Sequence, residues 1–159
     1  MAGRFVVSRI VERMDSPIGQ LRFLATDAGM SRVCFENERA IAAASPNHPL
    51  AARQLSEYFS GARTEFTVPL DLQGVTDFRA AVLRELAKVP FGRTTTYAEL
   101  ARAVGSPKAV RAVGSACATN PLPLFIPCHR VLRSDGRLGG YRGGVEAKRY
   151  LLELEGINV

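Results

Sequence analysis

Apolar and polar positions change their period near the middle of the chain, and that change divides it into two regions. From Phe5 to Phe35 the apolar residues come as short β-branched or alternating runs: Phe5 to Val11, then Leu21, Phe23 and Ala25, then Val33-Cys34-Phe35. Turn chemistry separates the runs at Asp15-Ser16-Pro17-Ile18-Gly19 and at Asp27-Ala28-Gly29, so the stretch predicts a short antiparallel meander. Leu50, Leu55, Tyr58 and Phe59 then fall on one helical face, which predicts a helix from about Pro49 to Ser60, stopped by Gly61. Val68 to Thr76, with Pro69 and Gly74, reads as a linker that ends on an N-cap candidate, Thr76.

Beyond that point helical spacing dominates. Phe78, Val82, Leu86 and Val89 predict a helix ended by Pro90-Phe91-Gly92. Thr96-Tyr97-Ala98-Glu99 has the form of a capping box and opens a short helix through Leu100 to Val104, broken by Gly105. Ser106 as N-cap and Pro107 at the first helical position predict another helix at once, carrying Lys108 and Arg111 to about Thr119. Two short helices about a tight glycine turn outline a helix-turn-helix, although taken alone the outline fits an ordinary helical hairpin better. The second helix is rich in small residues, Ala109, Ala112, Gly114, Ser115, Ala116 and Ala118, which would let it approach a flat partner closely. Gly114 inside a helix costs about 1 kcal/mol against alanine, which asks for a packing or contact reason. A last helix spans roughly Val145 to Glu155 and is closed by Gly156. The expected class is α+β: an N-terminal support domain at 1–72, a short antiparallel sheet plus a helix, and a mostly helical C-terminal domain at 73–159 with a helix-turn-helix.

Composition narrows the class further. With 159 residues and 47% hydrophobic content, the chain suits one globular unit or two very small ones. Its longest charge-free stretch, Ala112 to Cys128, is interrupted by Asn120, Pro121, Pro123 and Pro127, so no apolar run is long enough to span a bilayer. Charges break the apolar residues at the N-terminus and no small-residue cleavage site follows, so a cytoplasmic protein without a secretory signal is expected. Residues 1–75 hold 8 Lys/Arg against 8 Asp/Glu, whereas residues 76–159 hold 13 against 7, so the net charge of +6 belongs to the second half. Such a localised positive field suits a polyanion such as nucleic acid, or is simply a solvated basic face. Three cysteines, with only His48 and His129 to help, supply neither a disulfide framework nor a four-ligand zinc site, and no metal is expected. Cys34 and Cys117 read as small buried hydrophobes.

Cys128 differs from both. The segment Asn120-Pro121-Leu122-Pro123-Leu124-Phe125-Ile126-Pro127 reads as a stiff extended stretch through the core that delivers Cys128, followed by His129 and Arg130. The thiolate is the nucleophilic form, and a free thiol near pKa 8.5 needs a neighbouring base or positive charge to reach it. In an extended chain His129 points away from Cys128, so a bridging water would complete that contact. His129 would in turn want an orienting carboxylate. Glu153 and Glu155 sit at the C-terminus of the last helix, where the dipole disfavours an anion; a partner could hold one of them, or it could simply be exposed. Between His129 and that helix, Asp135 to Gly144 carries five glycines, which can fold tightly against a ligand or remain a flexible loop.

Taken together, these residues resemble the O6-alkylguanine-DNA alkyltransferases, also called methylated-DNA-protein-cysteine methyltransferases. Ile126-Pro127-Cys128-His129-Arg130-Val131, Lys108 to Gly114, Asn120-Pro121, Gly139 to Gly144 and Lys148 to Gly156 carry the resemblance, with Ser16 to Leu21 a weaker match. It covers essentially the whole chain and implies single-turnover, direct-reversal DNA repair: the alkyl group of guanine O6, and of thymine O4, is transferred irreversibly to Cys128. It further implies that His129 activates Cys128 through water, that Glu155 orients His129, that Asn120 braces the site, and that the Tyr97 hydroxyl bonds guanine N3. Arg111 would replace the extruded nucleotide. The carbonyls of Cys128 and Val131 would read the exocyclic amine, the Arg142 amide would face O6, and Gly139 and Tyr141 would line the pocket. Thr95, Thr96, Lys108, Ala112, Gly114 and Ser115 would meet the minor groove of double-stranded DNA. A monomer without cofactor is implied, with cooperative binding along DNA left open.

There are departures from the family's pattern. Leu83 stands where many relatives place a tryptophan, and Arg142 where some have a small residue, which bears on the bulk of alkyl group accepted. The N-terminal half lacks the ligands for the zinc of some relatives, and no sensor domain accompanies it, so a transcriptional role is not expected. Three other readings remain: a non-catalytic alkyltransferase-like lesion binder, against which Cys128 argues, a Cys-His hydrolase, and a helix-turn-helix regulator.

Overall fold

A computed structural model describes residues 12–38 and 49–159. The predicted strand from Phe5 to Val11 and His48 lie outside the described residues. The chain divides into two compact units, 1–73 and 74–159. In class it is α+β, a small antiparallel sheet with a helix followed by a mostly helical unit.

In the first unit β1 (Glu12–Met14), β2 (Leu21–Thr26) and β3 (Gly29–Cys34) form an antiparallel sheet in that order, with Phe23 opposite Val33 and an irregularity between Leu24 and Ala25. β2 is buried on both faces. Arg22 within it is therefore satisfied internally, Nη2 donating to the carbonyls of Phe35 at 2.6 Å and Glu38 at 2.5 Å. α1 (Pro49–Phe59) buries Ala51, Gln54, Leu55 and Tyr58, so its inner face includes a glutamine that the apolar pattern passed over. Gln54 exchanges two hydrogen bonds with Thr67. The start of the expected linker is not loose. Met30 N donates to Pro69 O and Asp71 N to Met30 O, so this stretch pairs along the sheet's edge, and the buried Val68 anchors it.

The second unit is built from α2 (Asp77–Leu86), α3 (Tyr97–Ala103), α4 (Val110–Ala118) and α5 (Val145–Leu154). α2 stops three residues short of Val89, because its last carbonyls are taken up in tighter turns to Lys88 and Val89. The Thr96–Glu99 capping box forms, each side chain meeting the other's backbone amide. Gly105, at φ +77°, closes α3 with paired bonds from Gly105 N to Arg102 O and from Ser106 N to Ala101 O, a Schellman end. α4 begins at Val110, later than the Ser106-Pro107 signal indicates. Those residues form a turn closed by Ala109 N to Ser106 O, so Pro107 starts the turn rather than the helix. Two parallel two-residue strands, β4 (Thr95–Thr96) and β5 (Val131–Leu132), pair Thr95 with Val131 and set the start of α3 beside the segment that follows Cys128. Among the described residues no helix is long and apolar enough to cross a membrane.

Candidate active site

The segment before Cys128 folds back on itself instead of running extended. Ile126 N donates to Leu122 O, Pro123 bridges Ile126, and Leu124 takes φ +78°. That conformation costs a non-glycine residue about 1–2 kcal/mol, and here the burial of Leu124 at 1% exposure offsets it. Asn120 holds the turn together, Nδ2 donating to Ile126 O at 2.9 Å and Oδ1 accepting from Leu122 N at 2.9 Å. Three prolines cannot donate, so the fully buried Asn120 amide stands in for missing backbone bonds.

Cys128, His129 and Arg130 form a single 3-10 turn. With three residues per turn, their side chains diverge around the axis, so Cys128 and His129 do not share a face. Cys128 is half-buried, whereas His129 and Arg130 are buried. Desolvation pushes the Cys128 thiol up, opposed by the Asn120 side chain and by the charges of Arg142 and Lys148.

Glu155 is the C-cap of α5, and its side chain is fully buried. Gly156, at φ +85°, lets the chain turn away through bonds from Gly156 N to Glu153 O and Ile157 N to Leu152 O. The carboxylate thus enters the interior, where it is fully engaged. Oε2 meets His129 Nε2 at 2.7 Å, Arg130 binds both oxygens from Nε at 2.8 Å and Nη2 at 2.9 Å, and Gly92 N donates to Oε1 at 3.1 Å. Arg130 Nη1 also reaches Val89 O at 2.6 Å. Of the two glutamates at this helix end, Glu155 is the one with partners and Glu153 is exposed.

Burial lowers the pKa of His129, and its bond to Glu155 only partly offsets this, so the ring is neutral at pH 7. Nε2–H faces Glu155, which leaves Nδ1 as the acceptor; Nδ1 is buried and has no hydrogen-bond partner. Tyr97 is half-buried at the start of α3, and its hydroxyl is pushed up, chiefly by burial and then by the neighbouring thiols of Cys117 and Cys128. It therefore stays a donor. Gly139, at φ +74°, packs against it, since an added Cβ would lie 3.3 Å from the Tyr97 oxygen.

Two cations at the site escaped the sequence reading as actors. Arg130 was visible only as a neighbour of Cys128, although the glutamate at the dipole-disfavoured end of α5 asked for such a partner. Lys148 is fully buried and is, with Ala147, Leu151 and Leu152, one of the buried residues of α5. A lysine at an apolar position of a helix was the available signal. Its Nζ donates to Val131 O at 2.6 Å, to Leu138 O, and to Gly140 O at 3.3 Å, tying β5 to the glycine-rich loop. Burial brings its pKa down to about 8, so it remains largely charged at neutral pH.

The remaining predicted residues lie on α4 and around its start. Lys108, Arg111, Ala112 and Ser115 are exposed, Thr95, Thr96 and Gly114 are half-buried, and Val113, Ala116 and Cys117 face inward. A Cβ on Gly114 would meet nothing within 4 Å. Packing inside the chain therefore does not require this glycine. Tyr141 and Arg142 follow Gly140 on the loop, both half-buried. No group of three or more His, Cys, Asp or Glu able to hold a metal occurs among the described residues.

Comparison with known proteins gives this arrangement a family. The DNA-binding domain of 6-O-methylguanine DNA methyltransferase matches residues 77–157, and the ribonuclease-like domain of the same family matches residues 10–72. A methylated-DNA–protein-cysteine methyltransferase of Mycobacterium tuberculosis (strain CDC 1551 / Oshkosh) is 43% identical over 148 residues, 89% of each chain. One from Methanosarcina barkeri is 40% identical over 160 residues, covering 92% of this chain and 96% of the relative. The crystal structure of Mycobacterium tuberculosis OGT in complex with DNA superposes with a TM-score of 0.85 at 40% identity, over 91% of each chain. With both units matched and identity sustained along nearly the whole length, the chain belongs to the 6-O-methylguanine DNA methyltransferase family.

Proposed function

We propose that the protein repairs alkylated DNA by moving the alkyl group of O6-alkylguanine onto its own Cys128, once per molecule. The observation that carries this reading is the buried relay ending at the thiol's neighbour: Glu155, held by Arg130, orients His129 and leaves its Nδ1 as an acceptor. His129 takes the Cys128 proton through one bridging water, and the thiolate attacks the alkyl carbon in line. The new carbon–sulfur bond forms as the carbon–O6 bond breaks, the electron pair passing into the purine. Tyr97, kept protonated by burial, donates toward guanine N3 as that charge develops. A thioether has no good leaving group, so the protein is consumed. That separates this reading from a Cys-His hydrolase, which turns over.

The O6 carbon lies inside the base stack, so the nucleotide must be flipped out, at a cost of a few kcal/mol. α3 and α4 act as a helix-turn-helix on the minor groove of the duplex. The exposed Ala112 and Ser115, with the half-buried Gly114 beside them, allow close approach, while Lys108 supplies sequence-independent phosphate contact. Arg111 projects from that helix and fills the space left by the flipped nucleotide. The carbonyls of Cys128 and Val131, the Arg142 amide, Gly139 and Tyr141 form the base pocket. A monomer acting in the cytoplasm suffices for this chemistry. With excess lesion-bearing duplex, repaired lesions should plateau at one per protein molecule; continued turnover would refute the reading. Arg111→Ala should slow repair in duplex about 10²-fold or more, a few kcal/mol of flipping support, while reaction with a free O6-alkylated base stays near wild type. Equal losses on both substrates would remove Arg111 from the flipping role.

A further inference from the structure

The loop from Leu138 to Gly144 packs against Tyr97 at Gly139, but not at every glycine. A Cβ added at Gly140 or Gly144 would meet nothing within 4 Å, and the Gly144 N to Tyr141 O turn closes only its far end. Polar ties hold it on both sides of Tyr141. From inside, Lys148 binds the carbonyls of Leu138 and Gly140. On the other side of Tyr141, Arg142 Nη1 donates to Asn120 O at 2.6 Å and reaches Ala118 O at 3.4 Å. Those carbonyls lie at the C-terminal end of α4, where unpaired carbonyls favour a cation. Asn120 is also the residue that braces the turn before Cys128. The Arg142 side chain thus crosses from the loop carrying Tyr141 to the turn carrying the thiol, and its charge is near enough to Cys128 to favour the thiolate.

We propose that Arg142 is a specificity-determining strap: by fixing the glycine-rich loop against the Asn120 turn, it sets the width of the pocket over Cys128 and limits the bulk of the alkyl group accepted. The inference rests on the alkyl-transfer reading and deepens it. On this proposal a methyl group is accepted with the Arg142 bonds intact, whereas a benzyl group is accepted only as they break. Releasing the strap should therefore favour bulky groups selectively. It should also shift the rate profile to higher pH, because a charge favouring the thiolate is lost.

The test compares single-turnover rates on duplexes carrying O6-methylguanine or O6-benzylguanine for wild type, Arg142→Ala and Arg142→Lys. Arg142→Ala should raise the benzyl-to-methyl rate ratio about tenfold or more, the scale of one charge-assisted hydrogen bond. Arg142→Lys, which keeps a cationic donor, should hold the ratio nearer wild type and leave the pH profile in place. Should the alanine variant not fold, Arg142→Gln serves in its stead with the same expected direction. A ratio within about twofold of wild type in the folded variant would overturn the strap while leaving alkyl transfer standing. Wild-type protein that transfers neither group would overturn both.

Discussion

Arg130→Met is expected to lower the unfolding free energy by about 3–5 kcal/mol, the usual cost of removing one partner from a buried ion pair. Arg130 binds both oxygens of a carboxylate whose side chain is fully buried, and it also ties Val89, so a single guanidinium joins the turn after α2, the Cys128 turn and the end of α5. Without it, Glu155 still meets His129 and the Gly92 amide, but these neutral partners compensate a buried charge less well than a guanidinium does. The double variant Arg130→Met, Glu155→Gln should recover part of the loss, because both charges leave together. Urea denaturation of the three variants checks this. A loss below about 1 kcal/mol in Arg130→Met would mean that the pair contributes no more than a surface ion pair does.

His129→Gln should slow alkyl transfer about 10²–10⁴-fold at neutral pH, the range for a lost general base. The pH dependence carries the sharper signature. In the wild type the His129 pKa lies below its ordinary value, so the imidazole is neutral above the usual histidine range and the rate should fall only on acidification through that lowered value. Protonating it also costs stability. With the folded pKa depressed, the unfolded state binds the proton more readily, so stability present above the ordinary histidine pKa declines as pH drops. In His129→Gln no base takes the proton from a thiol that burial has pushed up, so the rate should climb steadily with pH across the neutral range. Stopped-flow single-turnover rates between acid and alkaline pH measure both curves. Parallel profiles in the two proteins would remove His129 from the proton path.

Much of this architecture could be read from local chemistry. The Thr96–Glu99 box, the glycine stops at Gly61, Gly105 and Gly156, and the β2–β3 turn are local signals, and each lies where its residues imply. Expectations failed where a local signal met a tertiary demand. Pro107 suits a first helical turn, yet the Ser106–Ala109 turn takes it. The proline-rich run suggested an extended chain, but Asn120 supplies hydrogen bonds that no proline can, and the run closes into a turn. At the site, the cysteine and histidine were legible as chemistry because they are adjacent. Their supports were less so. Glu155 carried a recognisable electrostatic anomaly, whereas Arg130, Lys148 and the Arg142 side chain act across 17 to 41 positions of sequence, a separation that no periodicity reveals.

The central claim concerns a single sulfur atom, and intact-protein mass spectrometry addresses it directly. After incubation with duplex DNA containing O6-methylguanine, the protein should gain one methyl group, and peptide mapping should place it on Cys128, not on the buried Cys34 or Cys117. Cys128→Ser should gain none and leave the lesion in place. Methylation elsewhere, more than one transfer per molecule, or lesion removal by the serine variant would contradict the account.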